Sequence, residues 1–189
     1  MTIELRIGDP EAMAGLGATI AAQLRAGDVV LLTGELGAGK TTLTRGLGAA
    51  LGVRGTVTSP TFVLARTHPR PGGAPLVHVD AYRLRDAAEL DDLDIDFAGS
   101  IVVVEWGAGL IEHLVDAWLA VTIERPTGAG EGSGSGTAQN PDALGTPDAS
   151  AGDDPDDDPD DAPVEPRRVT IAGVGERWAD LGWLHAAGD

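Results

Sequence analysis

Along most of the chain, short apolar runs alternate with segments in which apolar residues recur at helical spacing. Apolar runs of strand length, or alternating apolar and polar positions, predict strands at 29–33, 61–66, 75–80, 101–105, 118–124 and 168–172. Helical spacing and capping residues predict helices at 10–26, from the end of a glycine-rich loop to about 51, and at 86–92, 108–116 and 175–187. Strands that alternate with helices in this way are typical of an α/β fold with a central mixed, mostly parallel sheet.

The segment 126–166 has a different composition from the rest of the chain. It contains eleven of the thirty acidic residues and neither lysine nor arginine, and it is rich in Gly, Ser, Pro and Asp. Such a segment buries too little apolar surface to offset the entropy lost on ordering. We therefore predict a single folded domain over 1–125 and 168–189, with 126–167 as a disordered insertion in a hairpin. A solvated insertion is favoured over an acidic tail that docks on a basic partner.

Charge and composition exclude several classes of function. The formal net charge is −17, of which −6 belongs to the chain outside 126–166, so a surface that coats nucleic acid or an anionic membrane is disfavoured. The absence of cysteine excludes disulfide frameworks, zinc fingers, iron–sulfur sites and thiol nucleophiles. No apolar run approaches the roughly 18 residues of a membrane span, and the start lacks the build of a signal peptide. We predict a cytoplasmic protein with neither DNA nor a membrane as a partner.

The strongest chemical signal is the sequence GELGAGKT at 34–41, which matches the P-loop pattern G-x-x-x-x-G-K-[ST] at every fixed position. Glycines let successive backbone N–H groups wrap phosphate, and the helix that follows points its positive end at it. Lys40 would bridge the outer phosphates, and Thr41 would offer a hydroxyl to magnesium. Lys40 is also the only lysine among thirteen basic residues. The motif therefore predicts binding of a nucleoside triphosphate with Mg²⁺.

Three further groups of polar residues are candidates for the same site. Glu105 follows an apolar strand where P-loop proteins place a metal-binding carboxylate, commonly Asp, although a solvated strand-end acid is the alternative. Asp80 ends another predicted strand and could orient water or the metal, with a surface ion pair equally open. Residues 58–61 lie where nucleotide-sensing loops occur, and an ordinary Ser-Pro turn is the alternative.

Four motifs together resemble one family: GELGAGKTT at 34–42, VTSPTF at 57–62, HVDAYR at 78–83 and VEW at 104–106. In this order and spacing they are similar to the bacterial TsaE (YjeE) family, and VTIAGVGERW at 169–178 resembles the C-terminal strand and helix of that family. The resemblance covers about 3–125 and 168–184. It implies a P-loop NTPase-like three-layer fold. It also implies an ATPase that works with the TsaD and TsaB proteins in making threonylcarbamoyladenosine beside the anticodon of tRNAs.

Carried over to this sequence, the resemblance implies a role for each matching residue. The phosphate cradle would consist of Gly37, Ala38, Gly39, Lys40, Thr41 and Thr42. Magnesium would bind Thr41 and Glu105, and the catalytic residues would be Lys40, Asp80 and Glu105. Thr61 would belong to the nucleotide-sensing loop, and the ATP adenine would lie near Gly8, Asp9, Arg177 and Trp178. The tRNA would be reached only through the partner proteins, because the chain has no basic stripe.

Two other functions remain open at this point. A small-molecule kinase would need a lid of basic residues for a second phosphate-bearing substrate, for which Arg66 and Arg70 are sparse material. A non-catalytic, nucleotide-gated binding module would use ATP only to order residues 58–61 for a partner. A GTPase is disfavoured, because guanine recognition uses an N-K-x-D segment and the only lysine lies in the P-loop. Arg83 is a candidate for an intrinsic arginine finger.

Overall fold

The structure is a computed structural model that describes residues 1–125 and 165–187. Its strands are β1 (Thr2–Ile7), β2 (Val29–Thr33), β3 (Ala65–His68), β4 (Leu76–Asp80), β5 (Ile101–Glu105), β6 (Trp118–Glu124) and β7 (Arg167–Val174). Its α-helices are α1 (Pro10–Ala21), α2 (Lys40–Leu51) and α3 (Ala87–Asp91), and 3-10 turns cover Ile111–His113, Glu176–Trp178 and Gly182–Ala187. The predicted disordered insertion at 126–167 lies outside the described residues except for its last three, of which Arg167 opens β7.

The seven strands of the described part form one sheet in the order β1-β7-β6-β2-β5-β4-β3. Strands β6, β2, β5 and β4 are mutually parallel, whereas β7 and β3 are antiparallel to their neighbours. Because β1 is antiparallel to β7, it runs in the same direction as β6. The predicted mixed sheet is confirmed, although three of its pairings are parallel and three are antiparallel, so it is less parallel than expected. We call the edge where β2, β4, β5 and β6 end the carboxyl edge, and the edge where they begin the amino edge.

The sheet is covered on both faces, which gives the predicted three layers. Side chains alternate between the faces along each central strand, so Val30 and Leu32 pack with α1 and α2 whereas Val29 and Leu31 pack on the opposite face. That opposite face is covered by α3 and by the loops after β4 and β5. A strand buried on both faces reads as a continuous apolar run, and this is why β2 and β5 occupy the predicted ranges.

Helix α1 fixes the position of α2 through a close backbone approach. A Cβ atom at Gly17 would collide with the Leu43 carbonyl oxygen, and one at Gly46 would collide with the Ala14 carbonyl oxygen. The start of α1 is capped by Asp9, whose Oδ1 accepts a hydrogen bond from the Ala12 N–H at 2.7 Å. The close contacts between α1 and α2 thus fix the position of the N-terminus of α2.

Several predicted boundaries were wrong. Helix α1 ends at Ala21 and not at 26, because the chain turns through Gly27 (φ +90°) into β2. The strand predicted at 61–66 is β3, displaced to Ala65–His68, since the residues before it form a turn. The helices predicted at 108–116 and 175–187 are reduced to short 3-10 turns.

Strand β1 was not predicted, although its apolar residues alternate. It is an edge strand with charged residues between the apolar ones, and it is ordered by its pairing with β7. None of the helices in 1–125 and 165–187 has the length and apolar character needed to cross a bilayer.

Candidate nucleotide-binding site

The P-loop connects β2 to α2 at the carboxyl edge of the sheet. Gly34, Gly37 and Gly39 have φ angles of +153°, +73° and +114°, a region that side-chain-bearing residues rarely adopt. A Cβ atom at Gly34 would also collide with the carbonyl oxygen of Ile123 on β6. The spacing of the three glycines is therefore required by the path of the loop.

The N-terminus of α2 faces this loop without a side-chain cap. Its N-cap residue is Gly39, and the first turn contains no acidic residue. The first N–H groups of a helix have no acceptor within the helix, and together with the helix dipole they favour an anion at this end. The P-loop and α2 thus form a cradle suited to phosphate.

The Lys40 side chain is buried at the centre of the cradle, with 5% of its surface exposed. Its Nζ donates hydrogen bonds to the carbonyl oxygens of Gly34 at 2.8 Å and Glu35 at 3.0 Å, and lies 4.1 Å from the centre of the Trp106 ring. Burial lowers the pKa of the Lys40 ammonium, and the carboxylates of Glu105 and Asp80 oppose that shift in part.

Glu105 lies beside Lys40 and is buried at the end of β5. Its Oε1 accepts a hydrogen bond from His78 Nε2 at 2.8 Å and faces the Thr41 hydroxyl at 3.4 Å. The parallel pairing of β4 with β5 places Asp80 opposite Glu105. Two carboxylates and one hydroxyl therefore converge beside the ammonium of the P-loop.

Asp80 is held by hydrogen bonds to both of its oxygens. Oδ2 accepts from the Thr61 hydroxyl at 2.7 Å, and Oδ1 accepts from the Tyr82 N–H at 3.1 Å. Because the Thr61 hydrogen is directed at Asp80, the Ser59 hydroxyl donates to Thr61 at 2.7 Å. Arg83 donates to the Thr61 carbonyl oxygen at 2.6 Å. The loop that contains Thr61 is thereby joined directly to the carboxylate of Asp80.

Trp106 has an unusual backbone conformation for an aromatic residue, with φ at +63°. Its N–H still donates to the Leu32 carbonyl oxygen at 3.1 Å, so the β2–β5 pairing continues through it. The Trp106 ring contacts the edge of Tyr82, with 5.5 Å between the centres. Strain of this kind, which costs roughly 1–3 kcal/mol, is concentrated at functional sites.

Comparison with known proteins agrees with this geometry. The family model described as threonylcarbamoyl adenosine biosynthesis protein TsaE matches residues 7–131. The tRNA threonylcarbamoyladenosine biosynthesis protein TsaE of Streptomyces coelicolor is 49% identical over 171 residues, which are 88% of this chain and 94% of that protein. The chain belongs to the TsaE family.

Two further TsaE-family comparisons extend this result. The protein of the same name in Bacillus subtilis is 38% identical over 124 residues, which are 65% of this chain and 78% of that protein. The crystal structure of Bacillus subtilis YdiB aligns with a TM-score of 0.63 and 27% identity, covering 99% of this chain and 94% of that one. The P-loop NTPase-like fold expected for TsaE is confirmed.

The fold brings together most of the residues that the TsaE resemblance implicates. The cradle residues 37–42 form one loop and helix start, and Asp80, Glu105 and Thr61 surround Lys40 and Thr41. Gly8 and Asp9 follow β1 at the carboxyl edge, one turn before Met13, which approaches Gly39. Their predicted contact with adenine stays a prediction.

Arg177 and Trp178 are not brought to the P-loop. They follow β7, which runs antiparallel to β6 and therefore ends at the amino edge, about 15 Å away along a five-residue strand. Arg177 donates to both oxygens of Asp28 at 3.0 Å, and Trp178 is 1% exposed in the core. Their assignment to the adenine site is corrected here, because the direction of β7 separates them from the cradle.

Three contacts of the TsaE site were missed at the level of sequence. His78 donates to Glu105, Trp106 covers Lys40, and Arg125 donates to the Gly37 carbonyl oxygen at 3.0 Å. His78 and Trp106 lie inside the HVDAYR and VEW motifs. The motifs therefore drew attention to these two residues, but they did not indicate what each residue contacts. Arg125 has no signal beyond its position directly after β6.

Proposed function

We propose that this chain binds ATP with magnesium and hydrolyses it, and that it serves the formation of threonylcarbamoyladenosine in tRNA together with TsaD and TsaB proteins. The observation that carries the proposal is the convergence of Lys40, Thr41, Asp80 and Glu105 at one end of a P-loop. The names of the relatives support the tRNA modification pathway.

The cradle fits a phosphate chain. Its glycines adopt backbone conformations that side-chain-bearing residues rarely take, and its helix start carries no cap that would compete for the N–H groups. The Lys40 ammonium lies where it can exchange the carbonyl oxygens of Gly34 and Glu35 for phosphate oxygens. A partly desolvated cation of this kind interacts more strongly with phosphate than one in water.

The donor set beside the cradle fits magnesium, which prefers oxygen ligands. Thr41 Oγ1 and Glu105 Oε1 would hold the ion, and the rest of its shell would be phosphate and water. When bound, magnesium supplies charge neutralisation to the phosphates.

In this proposal Asp80 acts on the attacking water. Both carboxylate oxygens are fixed by hydrogen bonds, to Thr61 and to the Tyr82 N–H, so the group is held in one orientation. A carboxylate so fixed orients a water molecule and accepts its proton as the water oxygen bonds to the terminal phosphorus and the bridging P–O bond breaks, releasing ADP. Loss of this residue would then affect turnover more than binding.

The surface around the site supports a protein partner. Leu36, Phe62, Val63 and Tyr82 are exposed on loops at the carboxyl edge, with 89% of Leu36 and 93% of Phe62 accessible. Phe62 and Val63 directly follow Thr61, which contacts Asp80. Exposed apolar residues grouped in this way are typical of docking surfaces. The same observation favours the second candidate, a nucleotide-gated binding module that turns over no ATP.

The testing experiment is magnesium-dependent ATP hydrolysis by the purified chain, alone and with TsaB and TsaD of the same organism. We expect turnover that rises with the partners and is lost in Lys40→Ala. Asp80→Ala should lose turnover while it keeps ATP binding. Tight ATP binding without turnover of the unsubstituted chain in any mixture would contradict the ATPase and leave the gated module.

A further inference from the structure

The two sides of the P-loop differ in charge. Glu105 and Asp80 lie on β5 and β4, on one side of β2. On the other side, Arg125 directly follows β6 and Arg167 begins β7, both at the carboxyl edge. The carboxylate side therefore suits the metal and the outer phosphates. On the other side Arg167 lies 3.8 Å from Glu165, whereas Arg125 contacts the P-loop.

Arg125 is the arginine on that side that contacts the P-loop itself. It is exposed, and its Nη2 donates to the Gly37 carbonyl oxygen at 3.0 Å. A Cβ atom at Gly37 would lie 2.5 Å from Arg125 Nη2, so the glycine makes room for the guanidinium. Gly37 is the second of the three P-loop glycines with positive φ.

We propose that Arg125 binds the nucleoside part of the nucleotide, its ribose and base, from the β6 side of the cradle. This inference rests on the proposed binding of ATP and replaces the position predicted for Arg177 and Trp178. In this proposal Thr41 and Glu105 hold the metal end, and the nucleoside lies on the opposite side of the P-loop, where Arg125 donates to a P-loop carbonyl oxygen. The planar guanidinium can donate hydrogen bonds to ribose oxygens and can stack on an aromatic base.

The experiment compares nucleotides with a ligand that has no nucleoside. Equilibrium binding of ATP, ADP and inorganic tripolyphosphate is measured with magnesium for the unsubstituted chain, Arg125→Ala, Arg125→Lys and Arg168→Ala. Arg168 is a matched control, because it is exposed at the same end of the sheet and pairs with Glu4 at 3.4 Å. Binding does not depend on turnover, so the inference can succeed where the ATPase proposal fails.

We expect Arg125→Ala to weaken ATP and ADP by about tenfold and to leave tripolyphosphate unchanged. Arg125→Lys should recover part of the loss, and Arg168→Ala should bind all three ligands as the unsubstituted chain does. Equal weakening of ATP and tripolyphosphate would show that Arg125 only braces the loop through Gly37, and would overturn the inference. No change in any ligand, or no ATP binding by the unsubstituted chain, would overturn it as well.

Discussion

Asp28 and Glu105 are both buried carboxylates on neighbouring strands of the sheet. Asp28 directly precedes β2 at the amino edge, and Glu105 ends β5 at the carboxyl edge. At the amino edge, Asp28 accepts two hydrogen bonds from the Arg177 guanidinium at 3.0 Å and one from the Arg25 N–H at 2.9 Å. At the carboxyl edge, Glu105 accepts from His78 at 2.8 Å and faces the Thr41 hydroxyl at 3.4 Å.

The difference lies in how each charge is compensated. Asp28 has a cation in direct two-point contact, which joins the C-terminal segment to the start of β2. Glu105 has a cation nearby, but Lys40 gives its hydrogen bonds to loop carbonyl oxygens. Removing one partner of a directly paired buried acid is costly to the fold, whereas a buried acid without a direct cationic partner can accept a metal ion. Burial alone does not distinguish the two.

The largest effect is expected for Glu105→Gln. The amide keeps the size of the side chain and can accept from His78, but it lacks the charge that would bind magnesium in the proposed function. We expect the rate of ATP hydrolysis to fall by about 100-fold or more, with a change in the free energy of unfolding below about 1 kcal/mol. Steady-state hydrolysis and urea unfolding measure the two quantities.

The control for Glu105→Gln is the same substitution type at an exposed acid of the same protein, Glu112→Gln. It should leave both the rate and the stability as they are. If Glu105→Gln instead lowered stability strongly and did not change the rate of hydrolysis, Glu105 would be a structural acid like Asp28. The proposed difference between the two acids would then be wrong.

An intermediate effect, on stability and not on hydrolysis, is expected for Asp28→Ala. It removes the carboxylate that accepts from the Arg177 guanidinium and the Arg25 N–H, while Arg177 keeps its hydrogen bond to the Gln23 carbonyl oxygen. Because Arg177 is partly exposed and can be hydrated, we expect the free energy of unfolding to fall by about 2–3 kcal/mol. Hydrolysis per folded molecule should be unchanged at a temperature below the transition. A loss of turnover without a loss of stability would link the amino edge to the site.

Much of the site could be predicted because its signals are local. The P-loop glycines, Lys40 and Thr41 form one contiguous motif, and Glu105 ends an uninterrupted apolar strand. The α/β alternation was also visible in the hydrophobic pattern. These features depend on residues close together in the chain, whose spacing directly reflects backbone geometry.

The parts that were missed depend on long-range pairing. The contact of His78 with Glu105 follows from the register of β4 on β5, and the position of Arg177 follows from the direction of β7. The His78–Glu105 contact cannot be read from the spacing of residues in the sequence. The position of Arg177 was predicted wrongly. Similarly, β1 is a strand only because β7 pairs with it. Edge strands and terminal turns draw their order from tertiary contacts more than from their own residues.

The smallest effect is expected for a third buried titratable side chain, His68. His68 on β3 is buried, and its Nε2 has no hydrogen-bond partner in the described part of the chain. Burial lowers the pKa of His68 below its ordinary value of 6.5, with smaller contributions from His78 and Arg66. The unfolded chain then binds a proton at His68 more readily than the folded one, so stability is lost as the pH falls below about 6.5. His68→Leu should flatten this part of the curve of unfolding free energy against pH between 5 and 7, as measured by urea unfolding. Identical slopes for the two proteins would mean that His68 is protonated equally in both states.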